Sequence, residues 1–396
     1  MKIFIVTVQP FPHGLAGTER VICYAKALLS VGIDVEVVNF HRTEVYGRKP
    51  DNTIGVGIHE GIPFRYMGGT PLRGSNVVVR YINDWYDKKK LFRYLSQNVK
   101  KGDAILTYYR QNDIDKQLLP FAHKKGIKIY RDLCEYPYAT SKINDKTEER
   151  CQLYMKSVFI EYDGAICISE ALLNLAERYH PNGKHIKVPI LIDESKWNID
   201  DIKPKKFNAP YLFHSGTLFQ QKDGIVDVLE AFADALPFLP KGTKYLFTGS
   251  VEKSVDADMI KSIILKNDLS DCVDFLGYLS REEMLEYALG AAAFVVCKND
   301  NIQNRFCFAT KLGEYLLTGN PVITTNVGEP KYFLKDGDSA YIIEPDNRNM
   351  LKEAMVRCLN YPDEAIMIGK RGQQVARNFF YTKAQGKVLK QYFCHY

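Results

Sequence analysis

The chain has 396 residues, 46% hydrophobic and 25% charged, with a formal net charge of +6. That length holds two domains of ordinary size, and that balance excludes a disordered or fibrous chain. The small positive charge suits an anionic substrate or an anionic membrane surface and gives no reason to expect nucleic acid, while nine cysteines without a CxxC pair point to reduced thiols in a cytoplasmic protein, not a disulfide frame or zinc site.

Residues 2–8 are a continuous apolar run, as expected of a central parallel strand. Proline interrupts it too soon for a signal peptide or a membrane span. A loop over 9–17 follows. Residues 18–30 then carry Val21, Ile22, Ala25, Leu28 and Leu29 at helical spacing, with Gly32 as the stop. Residues 35–40 form the next strand, and this strand–helix–strand order predicts a doubly wound sheet. The basic segment 84–101 spaces Trp85, Phe92, Leu95 and Val99 as a helix does. One reading packs those residues on the sheet with the lysines solvated; the other gives the helix a membrane-surface face. Further strands are predicted at 104–107, 127–130 and 164–168. Ser169 reads as the N-cap of a helix through Glu177.

The stretch 189–210 reads as a linker, and a second, similar series begins at Tyr211. It predicts strands at 211–214, 245–248, 273–276, 293–296 and 322–324, with helices between them. The tail 363–396 is helical in pattern. The expected organisation is two Rossmann-like domains facing across a cleft. Residues 1–205 would form the first domain and 206–375 the second, with a helix over 376–396 packing back onto the first.

The strongest chemical signal lies in 304–324, read as loop, helix, glycine turn and buried strand. Lys311 stands one helical turn before Glu314. A helix that starts above a sheet edge aims its first N–H groups at an anion, and Lys311 adds a full charge. An acid there is placed to hold ribose hydroxyls. Taken alone, the same pair reads as an exposed i,i+3 ion pair. Glycine turns follow strands at Gly14 and Gly17, at Gly216 and at Gly249, with Lys222 six residues beyond Gly216. Each is weak alone, and Lys222 reads equally as a phosphate ligand or a solvated loop lysine. There is no GxGxxG or GxxxxGK[ST], which argues against an ordinary NAD site or P-loop. Two lysines and a helix N-terminus at successive β-to-α junctions suit the diphosphate of an activated sugar nucleotide.

The segments GTERVICYAKALLSVGIDVEVV, FHSGTLFQQKDGIVDVLEAF, VDFLGYLSREEMLEYA and NRFCFATKLGEYLLTGNPVITTNVGEPKYFL resemble, in order, the retaining GT-B glycosyltransferases of family 4, the glycosyl transferases group 1. The resemblance implies a sugar nucleotide, UDP- or GDP-linked, as co-substrate, with no other cofactor and no metal. Its acceptor would be a glycan or a lipid-linked molecule of cell-surface polysaccharide or glycolipid synthesis, met in the cytoplasm or at the inner membrane face. By the same resemblance Lys222 corresponds to the lysine on the donor diphosphate and Glu314 to the second acid of a glutamate pair. Gly17 corresponds to a loop glycine near the diphosphate or acceptor. Gly216, Thr217, Gly249 and Tyr278 complete the expected donor-binding set. Phe308, Ala309, Thr310 and Lys311 join it through the helix start. Phe306 stands where the first glutamate would be, and Thr217 where an arginine often is.

Lys222 and Lys311 are the expected catalytic cations, acting on the leaving diphosphate. Glu135, in the acceptor-side segment 131–142, is the third candidate catalytic residue; a turn acid with a structural role fits it equally. Asp113 and Asp115 imitate a metal-binding DxD but read as a chance spacing. Two rival functions remain open on the sequence: a nucleotide-sugar epimerase of the same fold, and an inactive sugar-nucleotide-binding protein.

Overall fold

The structure, a computed structural model, describes residues 1–111, 113–139, 145–197, 199, 201–216 and 218–394. Thr217 and residues 140–142 of the acceptor-side segment lie outside the described residues. The chain divides into two units, Met1–Asp193 with Tyr381–Tyr396, and Glu194–Phe380.

The first unit is built on strands β1 (Lys2–Thr7), β2 (Asp34–Asn39), β3 (Val56–His59), β4 (Ile62–Tyr66), β5 (Ala104–Tyr108), β6 (Lys128–Leu133), β7 (Gly164–Cys167) and β8 (Lys184–Lys187). They lie in the order β3-β4-β2-β1-β5-β6-β7-β8. All neighbours run parallel except the β3/β4 hairpin. In β1, β5 and β7 nearly every side chain is buried, as a strand covered on both faces requires. The helix Ala16–Leu29 covers one face and starts earlier than its apolar spacing suggested, so Gly17 sits in its first turn and not in the preceding loop. The last helix, Thr382–Cys394, belongs to this unit: Leu389, Tyr392 and Phe393 enter the first core, where Tyr130 meets both rings at 5.1 and 5.2 Å.

The second unit carries β9 (Tyr211–His214), β10 (Lys244–Phe247), β11 (Val273–Phe275), β12 (Ala293–Val296), β13 (Val322–Thr325) and β14 (Tyr341–Ile343). Their order is β11-β10-β9-β12-β13-β14, and every pair is parallel. Numbered from one, that is 3-2-1-4-5-6, the Rossmann order. The strand order reverses between β9 and β12, which leaves a crevice beyond their C-terminal ends. Ligands of open parallel sheets occupy that place. The core beneath is Leu212, Phe232, Tyr245, Val295 and Ile323 with their neighbours.

The helix Val77–Asn98 starts before the expected position. Its buried residues are Asp87, Leu91 and Leu95, so Trp85, expected to pack on the sheet, stands about half exposed. The sequence reading also missed β3, β4, β8 and β14. These are edge or near-edge strands of three to five residues, too short for a clear alternation.

Candidate functional site

At the C-terminal end of β9 the chain turns through Ser215 and Gly216. Gly216 has φ +122°, a conformation that β-carbon-bearing residues rarely adopt. Its N–H donates to Thr248 Oγ1 at 3.0 Å. The next turn, at Gly249 with φ +93°, packs so close that a Cβ there would lie 2.8 Å from the Gly216 carbonyl oxygen. The two glycines expected at the donor site therefore meet at one point.

Beneath this turn lies the helix Thr310–Leu317. Lys311 and Tyr315, four residues apart, share its inner face. The Tyr315 hydroxyl accepts from Ser215 N–H at 2.7 Å, and its ring stacks on Phe294 of β12 at 4.1 Å. Lys311 Nζ rises to within 3.4 Å of where a Gly216 Cβ would be. Its ion-pair partner is Asp223, at 2.8 Å. Lys298, just past β12, brings a second ammonium to 3.5 Å from the same carboxylate oxygen and donates to the Lys222 carbonyl at 2.7 Å. His214 Nε2 lies 3.5 Å from Lys311 Nζ.

Burial and charge set the protonation states. Burial acts first on His214 and the Lys311 charge second; together they push its pKa down to about 3, so the ring is neutral and Nε2 accepts. Burial alone would raise the Asp223 pKa. Lys311 and then Lys298 overcome it and hold the carboxyl down at about 2. Lys311 is itself lowered, by burial against the pull of Asp223. Lys298 and Asp223 are each under 10% exposed. The cluster thus holds two buried ammoniums, one carboxylate and one neutral imidazole, with an excess of one positive charge. Lys222 adds another from the surface.

The loop that carries Lys222 is held by its backbone. Gln220 N–H donates to Asp256 at 2.7 Å, and the Asn301 and Asn304 amides both donate to the Gln221 carbonyl. The Lys222 side chain is left exposed, at the mouth of the β9/β12 crevice.

The remaining expected residues are more dispersed. Glu314 is half-buried on the Thr310–Leu317 helix. Ala309 caps that helix without a side-chain hydrogen bond. The Phe308 ring is buried against Phe333 and Phe380, at 5.6 and 5.4 Å. Only its backbone is available to a ligand. Tyr278 is exposed, with the Lys253 ammonium 4.8 Å from its ring. Glu135 is exposed in the other unit, 3.6 Å from Arg110. Asp115 is buried and accepts from the Tyr109 and Tyr162 hydroxyls, whereas Asp113 is exposed beside Lys116. The two aspartates face different surroundings, and no group of three or more metal-ligating side chains occurs among the described residues. The sequence reading missed Asp223, Lys298 and His214. A lysine directly after the buried strand run of β12 was the available signal.

Residues 195–375 match the family described as glycosyl transferases group 1. This segment is a group 1 glycosyltransferase domain. An uncharacterized glycosyltransferase of Methanocaldococcus jannaschii is 22% identical over 362 residues, covering 84% of this chain and 96% of that protein. Among solved structures, a sucrose-phosphate synthase from Thermosynechococcus elongatus superposes with a TM-score of 0.73 at 17% identity, over 98% of this chain and 97% of its own. Anabaena HepE in complex with UDP superposes with a TM-score of 0.69 at 12% identity, over 99% of both chains. The fold is GT-B, with two Rossmann-like domains.

Proposed function

We propose that this glycosyltransferase transfers a sugar, of hexose type, from a UDP- or GDP-sugar to a glycan or lipid-linked acceptor with retention of anomeric configuration. The proposed setting is cell-surface polysaccharide or glycolipid synthesis in the cytoplasm, at the inner membrane face. The observation that carries the reading is the excess of positive charge at the β9/β12 crevice of the group 1 domain. Lys298 and Lys311 converge there on the carboxylate of Asp223, and the charge of exposed Lys222 acts on Lys311 as well. A diphosphate beside the Gly216 turn would neutralise that surplus.

In this reading the leaving diphosphate gains negative charge as the glycosidic bond breaks, and fixed cations in a partly dry site stabilise it without reorganising. Lys222 provides direct contact because it is exposed. Lys311 acts from below the turn, its position set by Asp223 and His214. Glu314 holds the ribose, and the uncapped start of the Thr310–Leu317 helix offers N–H groups to phosphate. The phosphate oxygen released takes the acceptor proton, so no protein base is invoked and Glu135 is left a supporting role on the acceptor side. No metal enters the scheme.

The test is a panel of UDP- and GDP-sugars screened by thermal shift, since a specific ligand raises apparent stability by mass action. The stabilising donor is then assayed for transfer to glycan and lipid-linked acceptors, with the anomer of the product read by NMR. A donor that stabilises the protein and is transferred with retention is the expected result. Epimerisation of the donor without acceptor, or binding without turnover, would replace it.

A further inference from the structure

The helix Val77–Asn98 has two faces of different character. Asp84, Asp87, Leu91 and Leu95 recur at i, i+3, i+7 and i+11 and form its inner face. Leu91 and Leu95 are fully buried, Arg42 reaches Asp87 at 2.9 Å, and His41 reaches Asp84 at 3.2 Å. Val78, Ile82, Trp85 and Lys89 recur at i, i+4, i+7 and i+11 on the other side. Val78 is 67% exposed, Ile82 56% and Trp85 51%. Val77, Tyr81 and Tyr86 flank them and are exposed as well. An ordinary surface helix turns polar residues outward. Here the outward side of the first three turns is aliphatic and aromatic.

Charge is sorted in the same way. Between residues 77 and 101 the only acids are Asp84 and Asp87, both engaged by basic side chains of the inner face. The bases Arg80, Lys88, Lys89, Lys90, Arg93, Lys100 and Lys101 outnumber those two acids seven to two, which leaves the segment strongly positive. Lys89 Nζ lies 3.7 Å from the centroid of the Trp85 ring and Lys90 Nζ 4.8 Å from that of Tyr86, so the basic and aromatic groups are adjacent.

We propose that this face docks the protein on an anionic lipid surface. The apolar stripe would enter the boundary between headgroups and acyl chains, with Trp85 and the tyrosines at headgroup depth and the lysines on the lipid phosphates. A second copy of the chain is the poorer occupant. Pairing two such faces would bring their lysines together without a carboxylate between them. The proposal goes beyond sugar transfer and does not depend on it.

Its test is co-sedimentation of the full chain with vesicles of phosphatidylcholine alone and of phosphatidylcholine mixed with phosphatidylglycerol. Binding to the anionic vesicles only, weakened by high salt, is expected. Replacing Lys89, Lys90 and Arg93 by glutamine is expected to lower partitioning about fivefold per charge, or about a hundredfold together. Ile82→Asp with Trp85→Ser is expected to abolish it, with circular dichroism unchanged because both positions are exposed. In a Trp197→Phe background, Trp85 is the one remaining tryptophan, and its emission should shift to the blue on binding. Equal binding to both vesicles, no binding to either, or unaltered binding by the variants overturns the proposal. A dimer in light scattering that Ile82→Asp/Trp85→Ser dissolves and anionic vesicles do not displace would assign the face to a second copy and overturn it too.

Discussion

Asp223→Asn keeps the shape of the cluster beneath the Gly216 turn and removes its only carboxylate. Two ammoniums, 2.8 and 3.5 Å from that oxygen, are then left in a buried place beside an amide. The size of the effect can be bracketed from two sides. Holding the Asp223 carboxyl at about 2 in place of an ordinary value near 3.9 corresponds to about 2–3 kcal/mol of preference for the ionised form. Removing one partner of a buried ion pair costs about 3–5 kcal/mol. Lys311, already lowered by burial, relieves part of the strain by losing its proton. A loss of about 3 kcal/mol is therefore expected, which lowers the melting temperature of a unit this size by about 6–12 °C. Urea and thermal unfolding of the full chain at pH 7 measure it. In the double variant Asp223→Asn/Lys311→Met one of the two stranded charges leaves with its partner, so the two single losses should sum to more than the loss observed. A single-variant loss below about 1 kcal/mol, or strict additivity, would refute the cluster as a balanced charge unit.

Four further outcomes test the site. Glu314→Gln is expected to weaken binding of the donor by about 1.5–3 kcal/mol in calorimetry, the usual range for a hydrogen bond to a charged group; unchanged affinity in a folded variant removes Glu314 from the ribose. Lys222→Ala, at an exposed position, should leave the melting temperature almost unmoved and lower turnover at saturating donor; near-normal turnover excludes this lysine. His214 is neutral in the fold, with its pKa about 3, below the unfolded value near 6.5. Its contribution is complete above pH 6.5 and falls as pH drops toward 3, because the unfolded chain takes up the proton first, with a limiting slope of about 1.4 kcal/mol per pH unit. A His214→Gln variant should show a flatter fall in urea-unfolding free energy between pH 7 and 4.5. Transfer in excess chelator is expected to persist; loss restored by magnesium or manganese would contradict the proposed leaving-group stabilisation.

Local signals carried much of the fold. The buried strands β1, β9, β12 and β13 read directly as apolar runs because both their faces are covered. Ser169 read as an N-cap because its side chain does what serine does there, accepting from Leu172 N–H at 3.2 Å. The segment around Lys311 and Glu314 read as a short helix followed by a glycine turn, and Thr310–Leu317 is that helix. The edge strand β8 did not read because KHIK is half-buried throughout and offers no apolar run, and the three residues of β14 hold no period.

Sequence alone determined the alternation of strand and helix, and with it the double winding, because hydrophobic period and turn chemistry act over a few neighbouring residues. Tertiary structure decided which charges meet. Asp223 and Lys311 stand 88 positions apart, and only the adjacency of β9 and β12 brings them within 2.8 Å. It also decided which face of the Val77–Asn98 helix is inner, since Arg42 and His41 fix Asp87 and Asp84 and leave Trp85 outward. The last helix joins the first core although it follows the second unit, because Leu389, Tyr392 and Phe393 find their apolar partners there. Spacing along a chain encodes the faces of an element, and the partner that covers each face is set by contacts between residues distant in sequence.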